Sequence, residues 1–183
     1  MSPWVALLRG INVGKTKTVK MEDLAALYES LGLKNVRTYL RSGNVIFDAP
    51  EMDTEKLSLI LEERITGTVG FPVKVLIRTG EELQQVINDN PFLPGLSRDI
   101  TRLHVTFLSD YPTPASLHMV NAIKDEADSV VATGREVYLF CPDGYGRTRF
   151  SNAFFEKNLG MVATTRNWKT VIALAEMVQD SAA

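Results

Sequence analysis

Strand-type alternation and helix-type periodicity follow one another in the same order twice along this chain, and that order leaves few folds open. In the first half, residues 3–9 read as a strand. Leu24, Leu27, Tyr28 and Leu31 then recur at i, i+3, i+4 and i+7, with Glu22 and Asp23 in the first turn and Gly32 as a stop, which predicts a helix over 21–31. Residues 36–41 alternate, Ser42-Gly43 reads as a tight turn, and 44–47 return as a strand. A helix over 53–65 points Leu57, Ile60, Leu61 and Ile65 inward, and 72–78 alternate again. Thr79-Gly80-Glu81-Glu82 is a capping box that opens a short helix burying Leu83, Val86 and Ile87.

The second half repeats the series. Residues 102–108 form a strand, and Thr113 caps a helix with Pro114 at its first position and Leu117, Val120 and Ile123 on its apolar face. Residues 129–132 and 137–141 make a hairpin around Thr133-Gly134-Arg135-Glu136. A helix over 151–159 stops at Gly160, and 161–164 form a short strand. Thr165 or Asn167 caps a last helix that turns Val171, Ile172, Ala175 and Val178 inward. Asn90-Pro91-Phe92-Leu93-Pro94-Gly95 interrupts the pattern and separates the halves. The expected fold class is α+β, as two similar ferredoxin-like βαββαβ(α) subdomains in tandem, 1–92 and 93–183.

The bulk properties agree with such a fold. A chain of 183 residues with 45% apolar and 23% charged residues buries a core without a disulfide or a metal. Cys141 is the one cysteine, so no internal disulfide forms. No apolar run reaches the roughly 20 residues needed to cross a bilayer, and Met1-Ser2-Pro3-Trp4 lacks the features of an export leader. The expectation is a cytoplasmic protein with no membrane partner. A net charge of −2 and a pI near 5.7 argue against a nucleic-acid partner.

The strand order brings distant polar loops together. In a βαββαβ unit the first two strands run parallel with the third between them. The end of the first strand then meets the hairpin between the second and third. Arg9-Gly10-Ile11-Asn12 should therefore neighbour Arg41-Ser42-Gly43-Asn44. Glycines admit a ligand close to backbone N–H groups, and arginine offers a fork for phosphate or carboxylate. The convergence favours a small anionic ligand gripped by Arg9 and Arg41, with Gly10, Asn12, Ser42, Gly43 and Asn44 completing the site and Lys15 beside it. The alternative is structural: the glycines serve the turns and the arginines tie the fold together, as in an interaction or scaffold protein or a homo-oligomer. Thr164-Thr165-Arg166-Asn167-Trp168-Lys169 opens the last helix, where Arg166 and Asn167 offer either a second wall of an anion site or a plain cap above a buried Trp168.

Other chemistry finds little support. Gly10-Ile11-Asn12-Val13-Gly14-Lys15-Thr16 has three residues between its glycines where a P-loop needs four, and the helix begins too late. His104, His118 and Cys141 have no metal-ligand spacing, so no metal is expected. The first and third strands lack the basic and aromatic pattern of an RNA-binding sheet. No general base stands out, so no catalytic residue and no cofactor are assigned. An enzyme acting on phosphorylated or acyl substrates, or a weak nucleic-acid binder, ranks behind the other readings.

Three motifs in order, Leu8-Arg9-Gly10-Ile11-Asn12-Val13-Gly14, Ser42-Gly43-Asn44-Val45-Ile46-Phe47 and Thr165-Arg166-Asn167-Trp168-Lys169-Thr170-Val171, make the chain resemble the domain of unknown function 1697 family (DUF1697). The resemblance spans nearly the whole chain. It implies two similar α+β subdomains and supplies no activity. Members of that family commonly carry a second glycine where this chain has Lys15, which sets Lys15 apart from the shared pattern.

Overall fold

The structure is a computed structural model that describes residues 1–94 and 99–183, so Gly95 of the interrupting segment lies outside the described residues. The first half runs β1 (Ser2–Arg9), α1 (Met21–Ser30), β2 (Lys34–Tyr39), β3 (Asn44–Ala49), α2 (Thr54–Val69), β4 (Lys74–Thr79) and α3 (Gly80–Asn88). The second runs β5 (Leu103–Leu108), α4 (Pro114–Asn121), β6 (Ser129–Thr133), β7 (Glu136–Phe140), α5 (Asn152–Leu159), β8 (Ala163–Asn167) and α6 (Trp168–Ala182). Each half is a ferredoxin-like βαββαβ(α) arrangement, and the fold class is α+β.

Each half builds one four-stranded sheet, in the orders β2-β3-β1-β4 and β6-β7-β5-β8, with every neighbouring pair antiparallel. β1 and β2 therefore point the same way with β3 between them. Trp4 through Leu8 are all buried because β1 is an inner strand, which is why its sequence is a continuous apolar run rather than an alternation. One face of the first sheet, with Trp4, Ala6, Leu8, Val45, Phe47 and Ile77, packs with Leu24 and Tyr28 of α1 and Leu57, Leu61 and Ile65 of α2. In the second sheet Leu108, Val137, Leu139 and Ala163 pack with Val120 of α4 and Phe155 of α5.

Local signals act as their chemistry requires. Asp53, Thr113 and Ser151 each accept a backbone N–H three residues on, at the starts of α2, α4 and α5. Thr79 and Glu82 form the reciprocal capping box, at 3.1 and 2.9 Å. Three details differ from the sequence reading. The last strand, expected over 161–164, runs Ala163–Asn167, so Arg166 and Asn167 end a strand before α6 begins. Ile60 stays 39% exposed, because α2 meets its sheet on the narrower stripe of Leu57, Leu61 and Ile65. The link between β2 and β3 is wider than the pair Ser42-Gly43: Leu40 and Gly43 both take positive φ, and the Gly43 N–H points back to the Leu40 carbonyl at 3.4 Å.

The chain divides into two compact units, Met1–Gln84 with Ala173–Ala183, and Gln85–Ile172. The end of α3 thus belongs to the second unit and the end of α6 to the first. Within the first unit, Arg37 of β2 donates Nη2 to the Met177 carbonyl and to the Ser181 hydroxyl, and Gln179 donates to Gln84 at 2.8 Å. Within the second, the Tyr138 hydroxyl donates to the Val86 carbonyl at 2.7 Å.

Candidate functional site

The loop after β1 and the hairpin between β2 and β3 meet at one end of the first sheet, as the strand order demands. The Leu8 N–H donates to the Gly43 carbonyl at 2.9 Å. Gly43 has φ +85°, and a Cβ there would lie 2.7 Å from Ile11 Cδ1 and 2.9 Å from Leu8 Cβ. Glycine is required at that point by both conformation and space. Ile11 is the buried plug under the turn.

Asn12 is the fastener. Its Nδ2 donates to the Arg41 carbonyl at 2.7 Å and to the Val19 carbonyl at 2.9 Å, and its Oδ1 accepts the Val19 N–H at 2.8 Å. Its own N–H donates to the Lys17 carbonyl at 3.0 Å. One side chain thus closes the excursion 13–18 at its base and ties it to the hairpin. Asn44 is buried and donates to the Tyr39 carbonyl at 2.7 Å and to Ser42 Oγ at 3.0 Å. The polar atoms of both asparagines are engaged in building the two loops.

Outward of this frame lie the cations. Lys15, Lys17, Lys20 and Arg41 are exposed, and none of these four side chains forms an ion pair among the described residues. Arg9 is half-buried at the strand end, in register with Lys74. Gly10 and Gly14 face open space on the side a Cβ would occupy. Two aliphatic side chains share the surface, Val13 at 70% exposure and Leu40 at 53%. Leu40 has φ +59°, a conformation that strains a bulky L-residue. Glu22 and Asp23, in the first turn of α1, are the acids nearest in sequence.

Arg166 and Asn167 belong to the second unit, whereas the other candidate residues belong to the first. Arg166 is buried; its Nη1 donates to Thr164 Oγ1 at 2.9 Å and to the Thr165 carbonyl at 3.0 Å. Burial pulls its guanidinium down to about 10, so it is still charged at neutral pH. Asn167 caps α6 by accepting the Thr170 N–H at 2.9 Å, and Trp168 is buried beneath. Thr165 instead bonds Thr106 and Asn152, both at 2.7 Å.

Sequence reasoning passed over Arg78, which is fully buried in the first unit. It occupies the position of Arg166. Each arginine sits opposite a valine of an inner strand, Val5 or Val105. Each directly precedes the residue that caps the next helix, and each donates Nη1 to the carbonyl of the residue before it, at 2.9 Å from Arg78. The signal was present in the parallel strings Ile77-Arg78-Thr79 and Thr165-Arg166-Asn167. Elsewhere, His104 is half-buried and stacks on Tyr145 at 4.9 Å, and burial lowers its pKa. Burial likewise pushes the Cys141 thiol up to about 11, which leaves it unreactive at neutral pH. Among the described residues no cluster of His, Cys, Asp or Glu offers a metal site, and no helix is long and apolar enough to cross a membrane.

A family model described as protein of unknown function (DUF1697) matches residues 1–138. No curated protein matches the chain. Among solved structures, the conserved bacterial protein SP0830 from Streptococcus pneumoniae is similar at a TM-score of 0.70 and 22% identity, over 97% of this chain and 98% of that one. That likeness concerns the fold.

Proposed function

Because the chain belongs to the DUF1697 family, proteins of unknown function, we propose its activity from the geometry alone: it binds a small anionic ligand at the end of β1. Arg41, Lys15 and Lys17 meet the anion from two loops, with Lys20 and Arg9 adding positive potential. Asn12, Ser42, Gly43 and Asn44 frame the site, and Gly10 and Gly14 leave the loop open to approach. The observation that carries this reading is the 2.7 Å bond from Asn12 to the Arg41 carbonyl, which fixes one cationic loop against another. A binding site needs its charges held in place before the ligand arrives, and this bond supplies that order. The single cysteine fits a cytoplasmic setting. No cofactor and no catalytic step are proposed.

Thermal-shift measurements with phosphorylated and carboxylated small molecules test the reading. A ligand at 100 times its dissociation constant stabilises a fold by about 2.7 kcal/mol. The wild type should shift and Arg41→Gln should shift much less. Equal shifts in both, or none in either, would count against the site.

A second reading is favoured by a specific observation: the side chains of Asn12, Asn44, Arg166 and Asn167 are engaged inside their own units. On that reading the motifs are architectural, and the protein acts as an interaction or scaffold module. Substituting Arg41 would then leave every measured property near wild type, while Asn12→Ala would lower the denaturant midpoint with no ligand involved.

A further inference from the structure

We infer that the ligand of the two loops is a chain of linked phosphates, a diphosphate or triphosphate, rather than a single anionic group. The inference rests on the anion-binding reading above. Lys15 and Lys17 stand on the excursion 13–18, Lys20 at the start of α1, and Arg41 on the facing hairpin, all exposed. An exposed ion pair shifts an equilibrium by about fivefold or less. One phosphate on one such cation is therefore held hardly better than by solvent ions. A ligand with several charges on one backbone engages several cations while losing its translational freedom once.

The frame makes that gain available. Asn12 closes the excursion through Val19 and Lys17 and ties it to the Arg41 carbonyl, so the cations of the two loops are presented together. Three of the four exposed cations are lysines, compact point charges that suit the spread charge of a polyphosphate. A carboxylate is matched best by an arginine fork, and Arg41 alone of the four has one. Glu22 and Asp23 stand at the same end of α1 and repel an anion in proportion to its charge, so the gain for a polyphosphate has to come from the cations of the two loops. Val13 and Leu40 add exposed apolar surface on the same loops, available to an organic group carried by the phosphate chain.

Calorimetric titration of the full chain at constant ionic strength tests this, with inorganic phosphate, pyrophosphate, tripolyphosphate and a single-stranded decanucleotide as probes. Tripolyphosphate should bind at least about tenfold more tightly than phosphate, with pyrophosphate between them. The double substitution Lys15→Gln with Lys17→Gln should remove most of the affinity for tripolyphosphate, and an unchanged tripolyphosphate affinity in that variant would overturn the inference. Arg41→Gln, on the other loop, should act in the same direction. Equal affinity for phosphate and tripolyphosphate would overturn the inference while leaving the anion site standing. No binding of any probe would overturn both. A decanucleotide that binds more tightly than tripolyphosphate, and loses that affinity in the double variant, would overturn it in favour of a nucleic-acid backbone.

Discussion

Asn12 shows how one residue can set the shape of a site without touching a ligand. Its amide is spent on Val19 and on the Arg41 carbonyl. A net hydrogen bond contributes about 1 kcal/mol, and partial exposure lets water replace some of it. Asn12→Ala should therefore lower the free energy of unfolding by about 1–2 kcal/mol, read from urea denaturation, and an unchanged midpoint would remove its framing role. Tyr28 makes the opposite case. Its hydroxyl is buried without a hydrogen-bond partner among the described residues, and burial raises its pKa. Tyr28→Phe should stabilise the fold by about 1 kcal/mol, because it deletes an unmet polar group while keeping the ring against Phe47. A destabilised variant would mean that the hydroxyl has a partner in solution. The sequence made the meeting of the two loops legible, since strand order alone dictates it. It did not make the work of Asn12 legible, because a side chain that bonds a carbonyl 29 residues away leaves no local pattern.

At the scale of elements, the strands and helices follow from periodicity and caps. Inner strands β1 and β3 read as apolar runs, and edge strand β2 alternates in sequence. The ends of α3 and α6 are a different matter. An amphipathic stripe says that a helix covers something, but not which sheet, so the assignment of Ala173–Ala183 to the first unit was not legible. The buried arginines were also hidden in part. Arg78 fell inside a strand alternation that drew attention to Val73, Val75 and Ile77 instead. Asn167 is the clearest test at this scale. Loss of an N-cap costs about 1 kcal/mol, so Asn167→Ala should lower stability by that amount, whereas Asn167→Asp should stay close to wild type. If thermal melting places both variants at the wild-type value, α6 does not depend on this cap.

At the scale of the whole molecule, two halves of the same element order each place a buried arginine opposite a valine of an inner strand, and each begins its last helix after the capping residue that follows that arginine. The acid response should come partly from the second unit. Burial holds His104 below its ordinary value of about 6.5, so the unfolded chain takes up a proton before the folded one does. Stability is complete above that ordinary value and declines as pH falls through it toward the lower folded value. Urea midpoints between pH 7.5 and 5 should fall, and His104→Gln should flatten part of the fall; an equal slope in both proteins would assign the response to other groups. The central claim is the anion site at the end of β1, and amide chemical-shift mapping during a tripolyphosphate titration tests it most directly. The account predicts saturable shifts concentrated at residues 10–20 and 40–44. Shifts that stay linear in concentration, or that gather elsewhere in the chain, would contradict it.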